Sequence, residues 1–227
     1  MKIDAIIPAG GLGLRFSNNV KKQFYKVLDR EVIYYTVDRL TKSYNFNKII
    51  IGASIKDYET VKYIMALLSI NNYFIVEAGN IRQRTVLNCL KESSSDYVLV
   101  HDAVRPVVTR KIVEDTVNAA IKYKAALCGL KLRDALKKID KTTNRVIENL
   151  DRSNYILVHT PQVYKKELLL EALMKVEELK KIVYDEAEAF FYIKKDVFFV
   201  ESAYYNVKIT YRDDMPLLEY YLKNIPV

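Results

Sequence analysis

The sequence predicts an α/β fold, a mostly parallel twisted sheet flanked by helices. Two observations carry that expectation. Short apolar runs alternate with stretches of helical period along most of the chain. Segments rich in glycine or charge follow two of those runs, at the strand ends where open parallel sheets bind ligands. Length agrees, since 227 residues, half of them apolar and only 6 glycine and 5 proline, can bury a sizeable core in one domain spanning 1–227.

Residues 5–8 form an uninterrupted apolar run, the pattern of a strand buried on both faces. A helix over 32–40 follows, then a strand at 48–53, a helix at 58–68 and a strand at 73–77. The periodicity next predicts a helix over 82–91 and a strand over 97–101. Thr109 stands where it can cap a helix whose Val113, Val117, Ala120 and Ile121 share one face, and 125–130 is another apolar strand. Strands and helices in this alternation make βαβ units. The stretch 133–159 breaks the pattern, with polar runs around extended pieces at 146–147 and 155–158. It reads as a projecting β-hairpin or arm, turning at Thr143-Asn144. Beyond it come a helix over 165–179, a short helix near 185–192, strands at 197–200 and 207–210, and a final helix over 215–223.

Composition excludes several classes. The formal charge of +8 suits nucleic acid, anionic membranes or small anions, but abundant Lys, Ile, Tyr and Asn also follow from AT-rich coding, so it decides little. The tyrosines are scattered with no RNP-like aromatic motif, which argues against an RNA-binding protein. Cys89 and Cys128 lie far apart among apolar residues without zinc spacing, as buried thiols do in a reducing compartment. The N-terminus runs straight into a strand with no charged n-region or cleavage site, and no apolar run approaches membrane-spanning length. These features predict a soluble cytoplasmic protein with no room for a fused second enzyme.

The loop after the first strand holds Gly10, Gly11 and Gly13, then Arg15 and Lys22. Glycines let several backbone N–H groups converge on one anion, and the cations add full charge. The spacing matches neither the dinucleotide fingerprint nor the P-loop. A second candidate is His101-Asp102-Ala103-Val104-Arg105-Pro106, where Asp102 ends a buried strand and can face a metal or a ribose. Arg105 reads as a structural ion-pair partner, and His101 and His159 as hydrogen-bonded histidines rather than bases.

P-A-G-G-x-G-x-R, K-K-Q-F, V-L-V-H-D-A-V-R-P, D-R-S-N, H-T-P-Q and N-V-K-I-T occur in one order across nearly the whole chain. The set resembles the 2-C-methyl-D-erythritol 4-phosphate cytidylyltransferases and the related ribitol-5-phosphate cytidylyltransferases. The resemblance implies a Rossmann-like nucleotidyltransferase domain with a swapped arm forming a homodimer. It also implies CMP transfer from CTP to an alditol phosphate with Mg²⁺. By position, Ala9, Gly10, Gly11 and Gly13 would wrap the triphosphate, and Arg15 and Lys22 would brace the α-phosphate. Gly79, Asn80 and Thr85 would contact cytosine and ribose, and Asp102 would lie beside the ribose and the metal. Arg152 and Lys208 would hold the second substrate's phosphate, with the arm of a second subunit as one source of Arg152.

The attacking group would be a phosphate monoester with a second pKa of about 6, already largely dianionic, so no general base is required. The cations Arg15, Lys22, Arg152 and Lys208 answer the remaining problem, repulsion between two anions. This chain departs from the family's pattern at four positions. Lys21 replaces a proline, Asn80 an aspartate, and Ala135 and Tyr184 threonines. Asp151-Arg152-Ser153-Asn154 sits nearer the methylerythritol subfamily than the ribitol one. A nucleotide-binding module without turnover stays open if Lys21, Asn80 and Ala135 disable the site.

Overall fold

A computed structural model describes residues 1–13, 16 and 20–227. The first strand, β1 (Ile3–Pro8), is followed by two short strands, β2 (Lys26–Val27) and β3 (Arg30–Glu31), and by helix α1 (Val32–Ser43). Next come β4 (Lys48–Ala53), α2 (Tyr58–Leu67), β5 (Tyr73–Glu77), α3 (Arg82–Lys91) and β6 (Tyr97–Val100). Helix α4 (Arg110–Tyr123) leads to β7 (Ala125–Lys131), the hairpin β8 (Leu136–Ile139) and β9 (Val146–Leu150), and the long β10 (Ile156–Lys165). The chain closes with α5 (Lys166–Glu178), α6 (Glu186–Phe191), β11 (Phe198–Glu201) and α7 (Met215–Asn224).

Among the described residues the central sheet has seven strands in the order β11-β7-β10-β6-β1-β4-β5. All neighbours run parallel except β10, which is antiparallel to both β6 and β7. The period of two along β1 decides which face each residue serves. Ile3, Ala5 and Ile7 join a core with α1, α2 and α4, whereas Ile6 joins one with α3, α5 and α6. Both faces are therefore dry, and each fully buried aliphatic side chain contributes about 1.5–3 kcal/mol.

Four sequence expectations need correction. Residues 156–158, expected in the arm, instead open β10 in the central sheet, where Ile156 pairs with Lys131. The hairpin proper is β8 and β9, which pair with each other around Asn144 at φ 55. Residues 207–210 form no strand. Their apolar side chains join a third cluster with Phe16, Val104 and Leu218, and a single ladder-like bond runs from the Ile209 N–H to the Val104 carbonyl at 2.9 Å. Thr109 does precede α4 as expected, but its hydroxyl makes no capping bond, and Ile121 is exposed while Thr116 takes the buried face.

Candidate active site

The exit of β1 is shaped by close approach. A Cβ on Gly10 would stand 2.2 Å from the Ala78 Cβ, so any side chain there would force the loop off the segment following β5. Gln23, buried in the 3-10 turn Lys22–Phe24, holds the loop from below. Its Nε2 donates to the Ala9 carbonyl at 2.6 Å and to the Gly11 carbonyl at 3.0 Å. Gly13 has φ +68, and Lys22 packs against it, with Cγ 3.3 Å from where a Cβ would be. Opposite this loop, the Thr85 hydroxyl accepts from the Gly79 N–H at 3.0 Å and donates to the Ile81 carbonyl at 3.1 Å, closing the turn into α3.

Asp102, just past β6, is the electrostatic centre. Its Oδ1 lies 3.0 Å from Arg82 Nε, and its Oδ2 lies 2.8 Å from Lys208 Nζ and 3.6 Å from Arg105 Nε. Burial alone would raise the carboxyl's pKa, but the charges of Arg82, Lys208 and Arg105 outweigh it and hold the pKa well below the usual range. Arg82 is the first residue of α3, where a cation opposes the helix dipole. Two carboxylates offset that conflict, Asp102 and the buried Glu186, whose Oε1 is 2.6 Å from Arg82 Nη1. Burial raises the Glu186 pKa despite the Arg82 charge.

The backbone under Asp102 is fixed by a polar chain. The Asp102 N–H donates to Thr160 Oγ1 at 3.0 Å, and that hydroxyl lies 3.1 Å from His101 Nδ1. His101 Nε2 in turn sits 3.0 Å from the Arg105 carbonyl, so the network assigns the neutral ring with its proton on Nε2. Asn206 donates to the Thr160 carbonyl at 2.9 Å, and its own carbonyl accepts from Arg105 at 2.8 Å. That lock sits two residues before Lys208 and explains how an irregular segment aims an ammonium with precision. His101 therefore serves structure, as does Arg105.

Burial depresses the His101 pKa to about 4, against 6.5 for the free side chain. The unfolded chain therefore binds the extra proton first, and stability falls as pH drops from about 6.5 towards 4. His101→Gln should reduce that slope in urea titrations at successive pH values, removing up to about 3 kcal/mol of pH dependence and leaving the share of His159, which burial also depresses to about 4.

One cleft is lined by Ala9, Gly10, Gly11, Lys22, Gly79, Asn80, Thr85, Asp102 and Lys208, together with Gln23 and Arg82. Residues 3–224 match the sequence model of the family described as "IspD: 2-C-methyl-D-erythritol 4-phosphate cytidylyltransferase". The chain belongs to this family. It is a cytidylyltransferase, an enzyme that moves CMP from CTP to methylerythritol 4-phosphate in isoprenoid precursor synthesis. Among its relatives, the family's enzyme from Bacillus cereus is 32% identical over 220 residues, covering 96% of each chain. The Clostridium beijerinckii enzyme is 32% identical over 226 residues, 98% of this chain and 99% of the relative. The crystal structure of 4-diphosphocytidyl-2C-methyl-D-erythritol synthase from Anaerococcus prevotii superposes with TM-score 0.86 at 28% identity, covering 98% and 99%. The enzyme of Francisella tularensis gives 0.82 at 25%, covering 97% and 100%.

In this cytidylyltransferase most of the residues expected at the site share the cleft. Gly13 backs Lys22, and Arg15 lies outside the described residues. Arg152 is not brought in by its own chain. It sits exposed in the 3-10 turn Arg152–Asn154, donating to the Arg133 carbonyl. Sequence reasoning missed Arg82, Gln23 and Glu186. Arg82 had one signal, a cation at a helix start separated from Gly79-Asn80 by Ile81 alone. The described residues hold no cluster of three metal-ligating side chains, and among those that line the cleft Asp102 is the one carboxylate, Glu186 lying behind Arg82. Mg²⁺ commonly takes one or two carboxylates and completes its shell from phosphates and water, so Asp102 would hold it only on releasing Lys208 from Oδ2.

No helix among the described residues is long and apolar enough to cross a membrane.

Proposed function

We propose that the cytidylyltransferase works by charge neutralisation and in-line positioning, with no general base. CTP would lie with its triphosphate over Gly10 and Gly11 and its base and ribose towards Gly79, Asn80 and Thr85. A phosphate oxygen of methylerythritol 4-phosphate would attack the α-phosphorus, forming one P–O bond as the bond to pyrophosphate breaks. Lys22, with Arg15, would neutralise the α-phosphate, and Lys208 would exchange Asp102 for the incoming phosphate. Mg²⁺ held by Asp102 would supply positive charge to the departing pyrophosphate. The supporting observation is the convergence of Lys22, Lys208 and Asp102 on one cleft with the glycine loop.

The same reading makes the enzyme a homodimer through the arm. Ile139, Val146, Ile147 and Leu157 are 47–57% exposed on or beside the hairpin, an apolar surface that a second copy would cover. Arg152, at the arm's base, would reach the acceptor phosphate of the opposite subunit. Both cysteines are free and buried, with thiols pushed up to about 12 by burial, in keeping with a cytoplasmic site of action. Ribitol 5-phosphate is the competing acceptor, since Ala135 lacks the threonine hydroxyl expected near the acceptor and Tyr184 puts its own at the far end of a bulky ring.

Arg152→Ala should raise KM for methylerythritol 4-phosphate about 10–100-fold, the worth of a charged hydrogen bond, and leave CTP affinity within about twofold. Steady-state kinetics with each substrate varied separately read this directly. Collapse of CTP affinity instead would place the arm elsewhere.

A further inference from the structure

Lys21 immediately precedes Lys22 but does not line the cleft with it. Its Nζ lies 2.5 Å from Asp57 Oδ2, and the two side chains are only 21% and 15% exposed. Asp57 ends the 3-10 turn Ile55–Asp57, which follows β4, and stands at the start of α2, where the helix dipole favours a carboxylate. Strand β4 is the neighbour of β1, with Gly52 opposite Pro8, and the Ala9 N–H donates to the Gly52 carbonyl at 2.7 Å. The ion pair therefore ties the returning end of the nucleotide loop to the strand exit next door.

On the other side of Lys22, Gln23 grips the carbonyls of Ala9 and Gly11. Lys22 is thus held between two anchors, one ionic and one hydrogen-bonded, while Gly13 backs its stem. Lys21 has φ −65, the value a proline ring imposes, at a position where the family's pattern has proline. The tether to Asp57 holds from outside a backbone conformation that a ring would hold from within.

We propose that Lys21, through its ion pair with Asp57, is a positioning residue that holds the Lys22 ammonium at the triphosphate. This rests on the reading of Lys22 as a phosphate-bracing cation. Lys21 acts on the reaction only through Lys22. Its loss leaves nucleotide affinity alone and lowers kcat, because a misplaced cation no longer meets the transition state. A partly buried pair is weakened but not abolished by salt, so kcat also carries an ionic-strength dependence set at this contact.

The test is a kinetic cycle with Lys21→Met, Lys22→Ala, their double variant, Asp57→Asn, Lys21→Asp and the exchange Lys21→Asp/Asp57→Lys. Thermal melts would establish that each is folded, and Asp57→Asn serves should Lys21→Met fail to fold. Expected is a fall of about tenfold in kcat for Lys21→Met and for Asp57→Asn, with KM for CTP within about twofold. In the Lys22→Ala background Lys21→Met should cost nothing further. The exchange should recover most of what Lys21→Asp alone loses, and raised salt should slow the wild type more than Lys21→Met. Wild-type kcat in Lys21→Met overturns the proposal. So does a loss confined to KM, which would make Lys21 a nucleotide ligand, or additive losses in the double variant. Normal kcat in Lys22→Ala would instead overturn the reading of Lys22 itself.

Discussion

Replacing Lys22 by alanine is expected to lower kcat about 10²–10³-fold, with far less change in KM for CTP. The size is that of a preorganised electrostatic donor removed from a developing charge, about 2–4 kcal/mol of transition-state stabilisation. The geometry explains why the loss should appear in kcat. Lys22 sits on a turn whose next residue, Gln23, is bonded to the glycine loop at 2.6 and 3.0 Å, so the backbone that carries its side chain is fixed before substrate arrives. Near-normal kcat in Lys22→Ala would remove the residue from the chemistry.

The second large effect is expected at Arg82. Its guanidinium bridges Asp102 and Glu186, two carboxylates that are 6% and 1% exposed. Arg82→Met leaves Glu186 without its buried counter-charge, and breaking such a pair costs about 3–5 kcal/mol. Asp102 keeps Lys208 and Arg105, so its charge survives while its orientation is lost. Denaturant titration should therefore show a large stability loss, and Arg82→Met/Glu186→Gln should recover much of it by removing the stranded charge. Loss of kcat should persist in that double variant, because Asp102 still lacks its lateral clamp. Unchanged stability in Arg82→Met would mean that the two carboxylates find other partners.

The sequence carried the sheet and the cleft well, for a physical reason. Buried parallel strands are continuous apolar runs, so the strands 48–53 and 73–77 and the helix 82–91 could be bounded from pattern alone. Strand β10 was harder, because His159-Thr160-Pro161-Gln162 interrupts its apolar pattern at an irregular register shift with a cis Thr160–Pro161 bond. Residues 207–210 misled in the opposite direction. Val207 and Ile209 alternate as a strand would, yet they pack beneath α7 rather than into a ladder. At the site, Lys22, Asp102 and Lys208 were visible through their motifs. Arg82 and Glu186 lie 104 positions apart, and no local pattern announces that they meet. Lys21 stood out only as a departure from proline, and its partner Asp57 is supplied by the fold.

The most direct test of the account is pyrophosphate release by the purified protein supplied with CTP, Mg²⁺ and one alditol phosphate at a time. Methylerythritol 4-phosphate should release pyrophosphate in step with formation of its CDP derivative, and ribitol 5-phosphate should give little. Turnover that prefers ribitol 5-phosphate, or CTP binding with no pyrophosphate from either acceptor, would contradict it.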